Sequence, residues 1–579
     1  MGVRLVSASV VGLFIALASL TAELGPQQIA WLRANAIALK TVEAGNGFDD
    51  LQPLKAAIGS ARLVSLGEAT HGTREIFQMK HRLTEFLASE LGFTIFAIEA
   101  NMPEAYRLND YVLHGTGDPK ALLEGMYFWT WNTEEVLAMI EWMRRFNASG
   151  TGRIEFVGFD MQTPTVAIEI VDRFLADLDP DALASARSIY RDVGRLEQAG
   201  TAGFGVATGT FPVGAAAGRT IRFSGAIRTQ DLDGFAGLWW RADGPSGVLA
   251  FDNMQMRGPR ATSDWARYEI VLEVPRETVN INFGVLMPGK GTAWFDDLQV
   301  EIDGKPYDAD QFDFGFESGE IRGLFTPASD YLVRVDDTTA SRGTRSLRIE
   351  WRLPTLSTGP PVNASEASRR FREIVTRMER ARAEYLARAD AKAVDWAIQN
   401  ARIVHQYAQM KAGQVSRDES MARNVKWILD TAPEGTRIVL WAHNLHVGRV
   451  DQGAHRAMGA YLDDWYRTDQ VIVGFAVNRG DYTAVGRGTG PGPHPLATAE
   501  SGSYEEAFAS LGVPRFVLDI RQARAGDPVA GWLRAPGRLR NIGAVALDQQ
   551  FQPANLGQLF DLVVFLDETT PTRGVWQSP

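Results

Sequence analysis

Six ionisable residues stand directly behind short apolar runs, and their types suit proton transfer. The run LVSL leads into Glu68 and His71, FTIFAI into Glu99, IEFVGF into Asp160, and RIVLW into His443 and His446. A neutral imidazole is the natural general base near neutral pH, and a carboxylate beside it can orient the ring and stabilise the imidazolium that forms. His71 is the best placed. It lies in LVSLGEATHG, just ahead of an amphipathic segment, Thr73 to Leu91, whose Ile76, Phe77, Leu83, Phe86 and Leu87 recur at helical spacing. The positive end of a helix dipole disfavours a charged ring there. Glu68 and Glu99 are its candidate acidic partners. The bland alternative for such a histidine is a hydrogen-bonded core turn.

His443 and His446 share one loop, from which they could donate to a developing oxyanion, hold substrate or ligate metal. Glu68, His71, Glu99, His443 and His446 together could form an N/O metal site, so a divalent ion stands as an alternative. The helical HExxH pattern is absent, and so is a G-x-S-x-G elbow. With no cysteine among 579 residues, thiolate nucleophiles, thiolate metal sites and disulfides are excluded. Lys80, nine positions after His71, falls about two and a half helical turns along; pointing inward, it could bind a carbonyl or carboxylate, and pointing outward it is a solvated lysine. The aromatic cluster around Tyr127, Phe128, Trp129 and Trp131 suits the wall of an apolar substrate pocket or ordinary core packing. Asp160 and Asn444, at the ends of their runs, complete the candidate substrate contacts.

The elements that must position these residues alternate. Strand-like and helix-like stretches follow one another as far as Asp160 and again from Arg437 to Leu566, the signature of an α/β fold with a mainly parallel sheet flanked by helices. In such sheets ligands bind outside the carboxyl ends of the strands, so all six ionisable residues converge if the strands are neighbours. Gln27 to Ala44 reads as an opening helix. Between 201 and 356 the helical period disappears, and short β-rich runs such as TIRFSGAIRT, WARYEIVLEV and SLRIEWRL predict an inserted all-β jelly roll or sandwich. The α/β unit then occupies 23–200 and 357–579, the second part opening with helices. Trp239, Trp240, Trp265 and Trp294 in the insert invite a sugar-stacking reading, with core packing as the alternative. Residues 1–22 read as a signal peptide, an apolar run behind Arg4 with a small-x-small site near Ala18, which predicts export to the periplasm or beyond and no membrane span in the processed protein. The formal net charge of −11 gives no basic field for nucleic acid.

LGEATHGTREIFQMKHRLTEFL, FTIFAIEAN, GFDMQ, RDESMARNV, VLWAHNLHVGR and DETTPTRGV resemble the motifs of the erythromycin esterase family. The resemblance covers about 50–180 and 365–570. It implies a hydrolase in which His71 activates water for attack on an ester or lactone carbonyl, without a required cofactor. It also implies that Glu68 and Glu99 are acidic partners, that His443 and His446 contact substrate or oxyanion, and that Lys80 matches a basic position. The insert departs from the family core and resembles carbohydrate-binding jelly rolls, which implies a possible glycan partner. A metal-dependent hydrolase of another bond and a non-catalytic glycan-binding envelope protein are the alternatives.

Overall fold

Leu63–Leu66 sits in the middle of the molecule because its four residues are apolar or small on both faces, and all four are buried. Its neighbour Ile438–Trp441 is apolar and buried at every position, and the next strand, Ile95–Asn101, is buried throughout and apolar as far as Ile98. A strand with no polar face must be covered on both sides, which is how parallel strands are used. The computed structural model describes residues 24–575 except 127, 192, 194–195, 197–203, 245–246, 279, 308–311, 325–330, 352–362, 452–455, 487–490, 524–525 and 548. The proposed signal peptide at 1–22 and both proposed edges of the insert lie outside the described residues.

A nine-stranded sheet forms the α/β part. Its order runs Ala36–Ala38, Arg515–Asp519, Leu562–Thr569, Gln470–Val485, Leu63–Leu66, Ile438–Trp441, Ile95–Asn101, Glu155–Asp160, with Pro491–Leu496 paired outside this path to Gln470–Val485. The six strands from Leu562–Thr569 to Glu155–Asp160 are parallel. Arg515–Asp519 and the edge strand Ala36–Ala38 pair antiparallel. The period-2 alternation of strand side chains divides the core in two. Leu63, Ile95, Ala97, Ile438 and Leu440 join one apolar cluster. Val64, Leu66, Phe96, Ile98 and Trp441 join the other. Helices Thr165–Leu178, Ala364–Arg380, Ala391–Lys411 and Arg417–Thr431 cover the first. Helices Arg74–Leu91 and Glu134–Ser149 cover the second.

Local signals place the helix ends. Gly92 closes Arg74–Leu91 in the left-handed region at φ 70°, and the Thr133 side chain caps Glu134–Ser149 by accepting from the Val136 N–H. The opening helix is shorter than its sequence suggests. It spans Pro26–Asn35, and the chain then extends as Ala36–Ala38 because those residues pair with Phe516–Leu518. Sheet pairing overrides the helical pattern there.

Between the helix Pro180–Tyr190 and the helix Ala364–Arg380 the strands belong to two other sheets, one four-stranded and one six-stranded. Their pairings are antiparallel. Both sheets feed a third apolar cluster, with Trp240, Phe283 and Val285 from one and Phe223, Phe295 and Leu347 from the other. Among the described residues no helix is long and apolar enough to cross a membrane.

Candidate active site

The turn after Leu66 is held by backbone contacts that only glycine permits. Gly67 donates its N–H to Val473 O at 2.8 Å, and a Cβ on it would lie 2.1 Å from Asn444 Oδ1. Gly72 packs harder still. A Cβ there would lie 1.7 Å from the Thr483 carbonyl oxygen, while its own carbonyl accepts from Thr483 N at 2.8 Å and Thr572 N at 3.0 Å. Ala69 O accepts from Ile542 N at 2.8 Å. Between these fixed points the chain presents Glu68 and His71.

Glu68 is wholly buried and saturated with donors. Oε1 pairs with His71 Nδ1 at 2.5 Å. Oε2 accepts from Lys80 Nζ at 2.7 Å and Trp441 Nε1 at 2.8 Å. Burial works against its charge, but Lys80 and His71 outweigh it and hold the carboxyl below the usual range. Lys80, also fully buried, is pushed down to about 8 by burial, against the pull of Glu68. Its ammonium lies 4.3 Å from the centre of the Trp441 ring, which adds a favourable cation–π contact. The ion pair at the floor is therefore electrically closed. With Nδ1 facing an ionised carboxylate, the His71 Nδ1 carries the proton and Nε2 is left as the basic atom. Nε2 has no hydrogen-bond partner among the described residues, and the side chain keeps 12% exposure. Trp131 stands edge-on to the ring at 5.7 Å.

A second charged group stands at the ends of the next two strands. Arg417, in the first turn of Arg417–Thr431, donates from Nη2 to Glu99 Oε1 and to Asp160 Oδ2, both at 2.7 Å. Its Nη1 lies 3.1 Å from His446 Nε2. Asp418, next in the chain, takes His446 Nδ1 at 2.8 Å. Burial pushes Glu99 up, but His446, Arg417, His71 and the His443 N–H hold it well below the ordinary carboxylate range. Burial pulls His446 down, yet Glu99 and Asp418 overcome it and raise the imidazole above its usual value. Burial likewise opposes the Arg417 charge, and Asp160 and Glu99 more than restore it.

The structure therefore brings Glu68, His71, Lys80, Glu99, Asp160 and His446 to one end of four adjacent parallel strands. It gives other candidates different tasks. His443 is buried, with Nε2–H donating to Ile542 O at 2.8 Å and Nδ1 accepting from Leu445 N at 3.2 Å. Both ring nitrogens are thereby committed, and burial, with the neighbouring His71, pulls its pKa to about 3. It is a neutral brace whose ring lies 5.0 Å from that of His71, and it has no donor to offer an oxyanion. Asn444 is turned from the crevice because its amide bridges Phe475, donating to O at 2.8 Å and accepting from N at 3.2 Å. Trp131 is buried and donates to Glu99 O at 3.0 Å, so it packs behind His71. Trp129 is half-buried, and Tyr127 lies outside the described residues. Arg417, Asp418 and Trp441 were not among the candidates read from the sequence. RDESMARNV carries the first two, but no apolar strand precedes them, so the strand-end criterion passes over them. Among the described residues no group of three His, Asp or Glu side chains could hold a metal ion. Arg417 occupies the position between Glu99 and Asp160 that a cation would need.

A model of the erythromycin esterase family matches residues 88–222 and 314–569. An erythromycin esterase type II of Escherichia coli is 31% identical over 160 residues, 26% of this chain and 37% of that protein. A candidate hydrolase of Bacillus subtilis, YbfO, is 29% identical over 152 residues, 26% of this chain and 33% of that protein. The matched stretches thus span about a third of these curated relatives. The crystal structure of a Bacillus cereus protein superposes with a TM-score of 0.60 at 19% identity, covering 95% of this chain and 98% of that one. A mutant of the erythromycin esterase EreC in its open conformation gives a TM-score of 0.51 at 12% identity, covering 92% and 96%. At these identities the structural likeness is one of fold. The family model, however, accounts for more than half of the residues, interrupted inside the antiparallel sheets, and the chain belongs to the erythromycin esterase family.

Proposed function

We propose that the protein hydrolyses a carboxylic ester or lactone with His71 as general base. One observation carries this reading. His71 is locked through Nδ1 on Glu68, and its Nε2 has no hydrogen-bond partner among the described residues while the side chain keeps 12% exposure. In this reaction Nε2 takes a proton from water as the water oxygen bonds to the carbonyl carbon. The carbonyl π pair moves to oxygen, forming the tetrahedral intermediate. Collapse of that intermediate breaks the C–O bond, and the imidazolium returns its proton to the departing alkoxide. Glu68 remains ionised throughout and stabilises the imidazolium. Arg417 and His446, held on Glu99, Asp160 and Asp418, are the N–H-bearing side chains proposed to donate to the oxyanion as it develops. The curated erythromycin esterase relative supports this bond class, and a macrolactone is the first substrate to try.

The two antiparallel sheets fit an inserted sandwich module of carbohydrate-binding type. Trp240 and Trp294 are buried there, whereas Trp239, Trp265 and Trp351 are partly accessible. The apolar run behind Arg4 supports export, and the N-terminal sequence of the mature protein checks it.

The test is a screen of activated esters and macrolactones on purified wild type and His71→Ala, each with and without chelator. Wild type is expected to hydrolyse at least one substrate irrespective of chelator, and His71→Ala to lose at least about a hundredfold in kcat/KM. Retained activity in His71→Ala overturns the mechanism. Loss of wild-type activity with chelator assigns the site to a metal.

A further inference from the structure

A cavity of about 850 Å³ opens at the other end of the same strands. Thr94, Glu155 and Thr436 mark the amino ends of the strands that carry Glu99, Asp160 and His443 at their carboxyl ends. Glu155 and Asp160 are the first and last residues of one strand, about 16 Å apart at ~3.3 Å per residue. The cavity is thus separate from the candidate active site. Its volume lies within the range of small-molecule sites, about 300–1,000 Å³.

The lining has a particular chemistry. Tyr106, Trp396 and Trp427 supply aromatic walls. Trp396 stacks on Tyr106 at 4.3 Å, and Trp427 stands tilted by 41° at 6.2 Å from Trp396. The charges at the cavity cancel. Arg153 Nη2 holds Glu155 Oε1 at 2.9 Å, and Arg382 grips Asp395 through two bonds of 2.7 and 2.9 Å. Lys392 and Glu434 remain, one of each sign. No net field favours an ion. Several hydrogen-bonding groups are nonetheless left over. Among the described residues, the indole N–H groups of Trp396 and Trp427, the hydroxyls of Thr94 and Thr436, and Glu155 Oε2 have no partner. These partly solvent-accessible donors and acceptors, interleaved with aromatic faces, match a ligand that is hydroxyl-rich at its edges and C–H-rich on its faces.

We propose that this cavity binds a neutral saccharide, a pyranose unit packing on Trp427 and Trp396 with its hydroxyls on Thr94, Thr436 and Glu155. This site is distinct from the antiparallel sheets and from the hydrolytic crevice. It stands or falls without the esterase reading.

Titration of the full chain by calorimetry and tryptophan fluorescence tests it. The probes are methyl glucosides, methyl galactosides, maltose, cellobiose and N-acetylglucosamine, with benzoate and tetramethylammonium as charged controls. One saccharide is expected to saturate a single site with a Kd of about 0.1–1 mM and to change tryptophan emission. Trp427→Ala and Thr436→Val are expected to weaken it at least about tenfold, whereas His71→Ala and Trp265→Ala leave it unchanged. Trp427→Phe, which keeps a ring face, is expected to retain part of the affinity, and unchanged melting curves show that the variants fold. Absence of saturation by every saccharide overturns the proposal. So does an affinity unaffected by Trp427→Ala, one lost in Trp265→Ala, or binding of the charged controls alone.

Discussion

At the residue scale the site is an exercise in keeping buried charge paired. Glu68 has Lys80, Trp441 and His71, and Glu99 has Arg417 and the His443 N–H. Replacing Glu68 by Gln retains the shape but removes the charge that stabilises an imidazolium. We expect kcat to fall by about 10²–10⁴ with KM little changed, as steady-state kinetics will read. Arg417→Met leaves Glu99 and Asp160 facing each other without the guanidinium that bridges them. Unfolding free energy is expected to drop by about 3–5 kcal/mol, measured by denaturant melts. The pH dependence follows from the same pairs. The Glu99 pKa lies below its unfolded value, so its stabilising contribution is complete above the ordinary carboxylate range and is lost as the pH falls through the folded value. The His446 pKa lies above its unfolded value, so its contribution is complete below the ordinary imidazole range and is lost as the pH rises through the folded value. Lys80, held down to about 8, acts in the opposite sense above that pH. Melting temperatures of wild type and His446→Gln should therefore differ most near pH 5–6 (about one unit below the ordinary imidazole value) and converge as the pH rises through the raised folded value of His446. Glu68, His71 and Glu99 are legible in the sequence because their runs end in them. The guanidinium that pairs with Glu99 comes from a helix far along the chain, and only tertiary structure reveals that pairing.

At the level of elements, position comes from close backbone approaches. The Gly72 carbonyl and α-carbon abut Thr483. A methyl group at 1.7 Å from a carbonyl oxygen cannot be accommodated by rotating a side chain, so the two segments must separate. Gly72→Ala is expected to lower stability by about 1–3 kcal/mol. It should lower kcat/KM by more than the unfolded fraction explains, because His71 is displaced. Thermal melts and kinetics on the same preparation separate the two effects. The strand–turn–helix reading of 63–91 holds to within a residue or two, since its apolar period, its acidic first turn and Gly92 all agree. Gln27 to Ala44 is misleading for the opposite reason. An edge strand of three residues gains its structure from Arg515–Asp519, and nothing within the stretch itself announces that partner. The Asn444 amide belongs to the same class of misreading: its type suits substrate binding, yet the adjacent strand takes both of its polar atoms.

For the whole molecule, the sequence shows two textures, and the structure separates them into a nine-stranded sheet, with a small two-stranded one of Gly537–Arg540 and Phe551–Ala554, and the two antiparallel sheets of the middle region. The helices on either side of the antiparallel region meet directly, with Tyr190 and Phe371 rings at 5.4 Å and Arg377 on Asp179 at 2.9 Å. A variant in which 204–351 are replaced by a short Gly-Ser linker is therefore expected to fold and to keep the hydrolytic activity proposed for the full chain. Insolubility or inactivity of that variant would show that the antiparallel sheets are required for the site. The alternation of strands and helices is a local signal and so was legible, whereas the strand order is not, because Leu63–Leu66 lies between two strands that follow it by more than 370 residues. That arrangement has a temporal side. The turn that holds His71 hangs on Ile542 and Thr572, and the latter is synthesised 500 residues after Gly72 (572 − 72). At about 5–20 residues per second, the nascent chain carries His71 for about 25–100 s before the segment that seats it emerges. The seating of this turn thus waits on that segment, and a ribosome-stalled chain ending before Thr572 should lack the proposed activity however much of its sheet has formed.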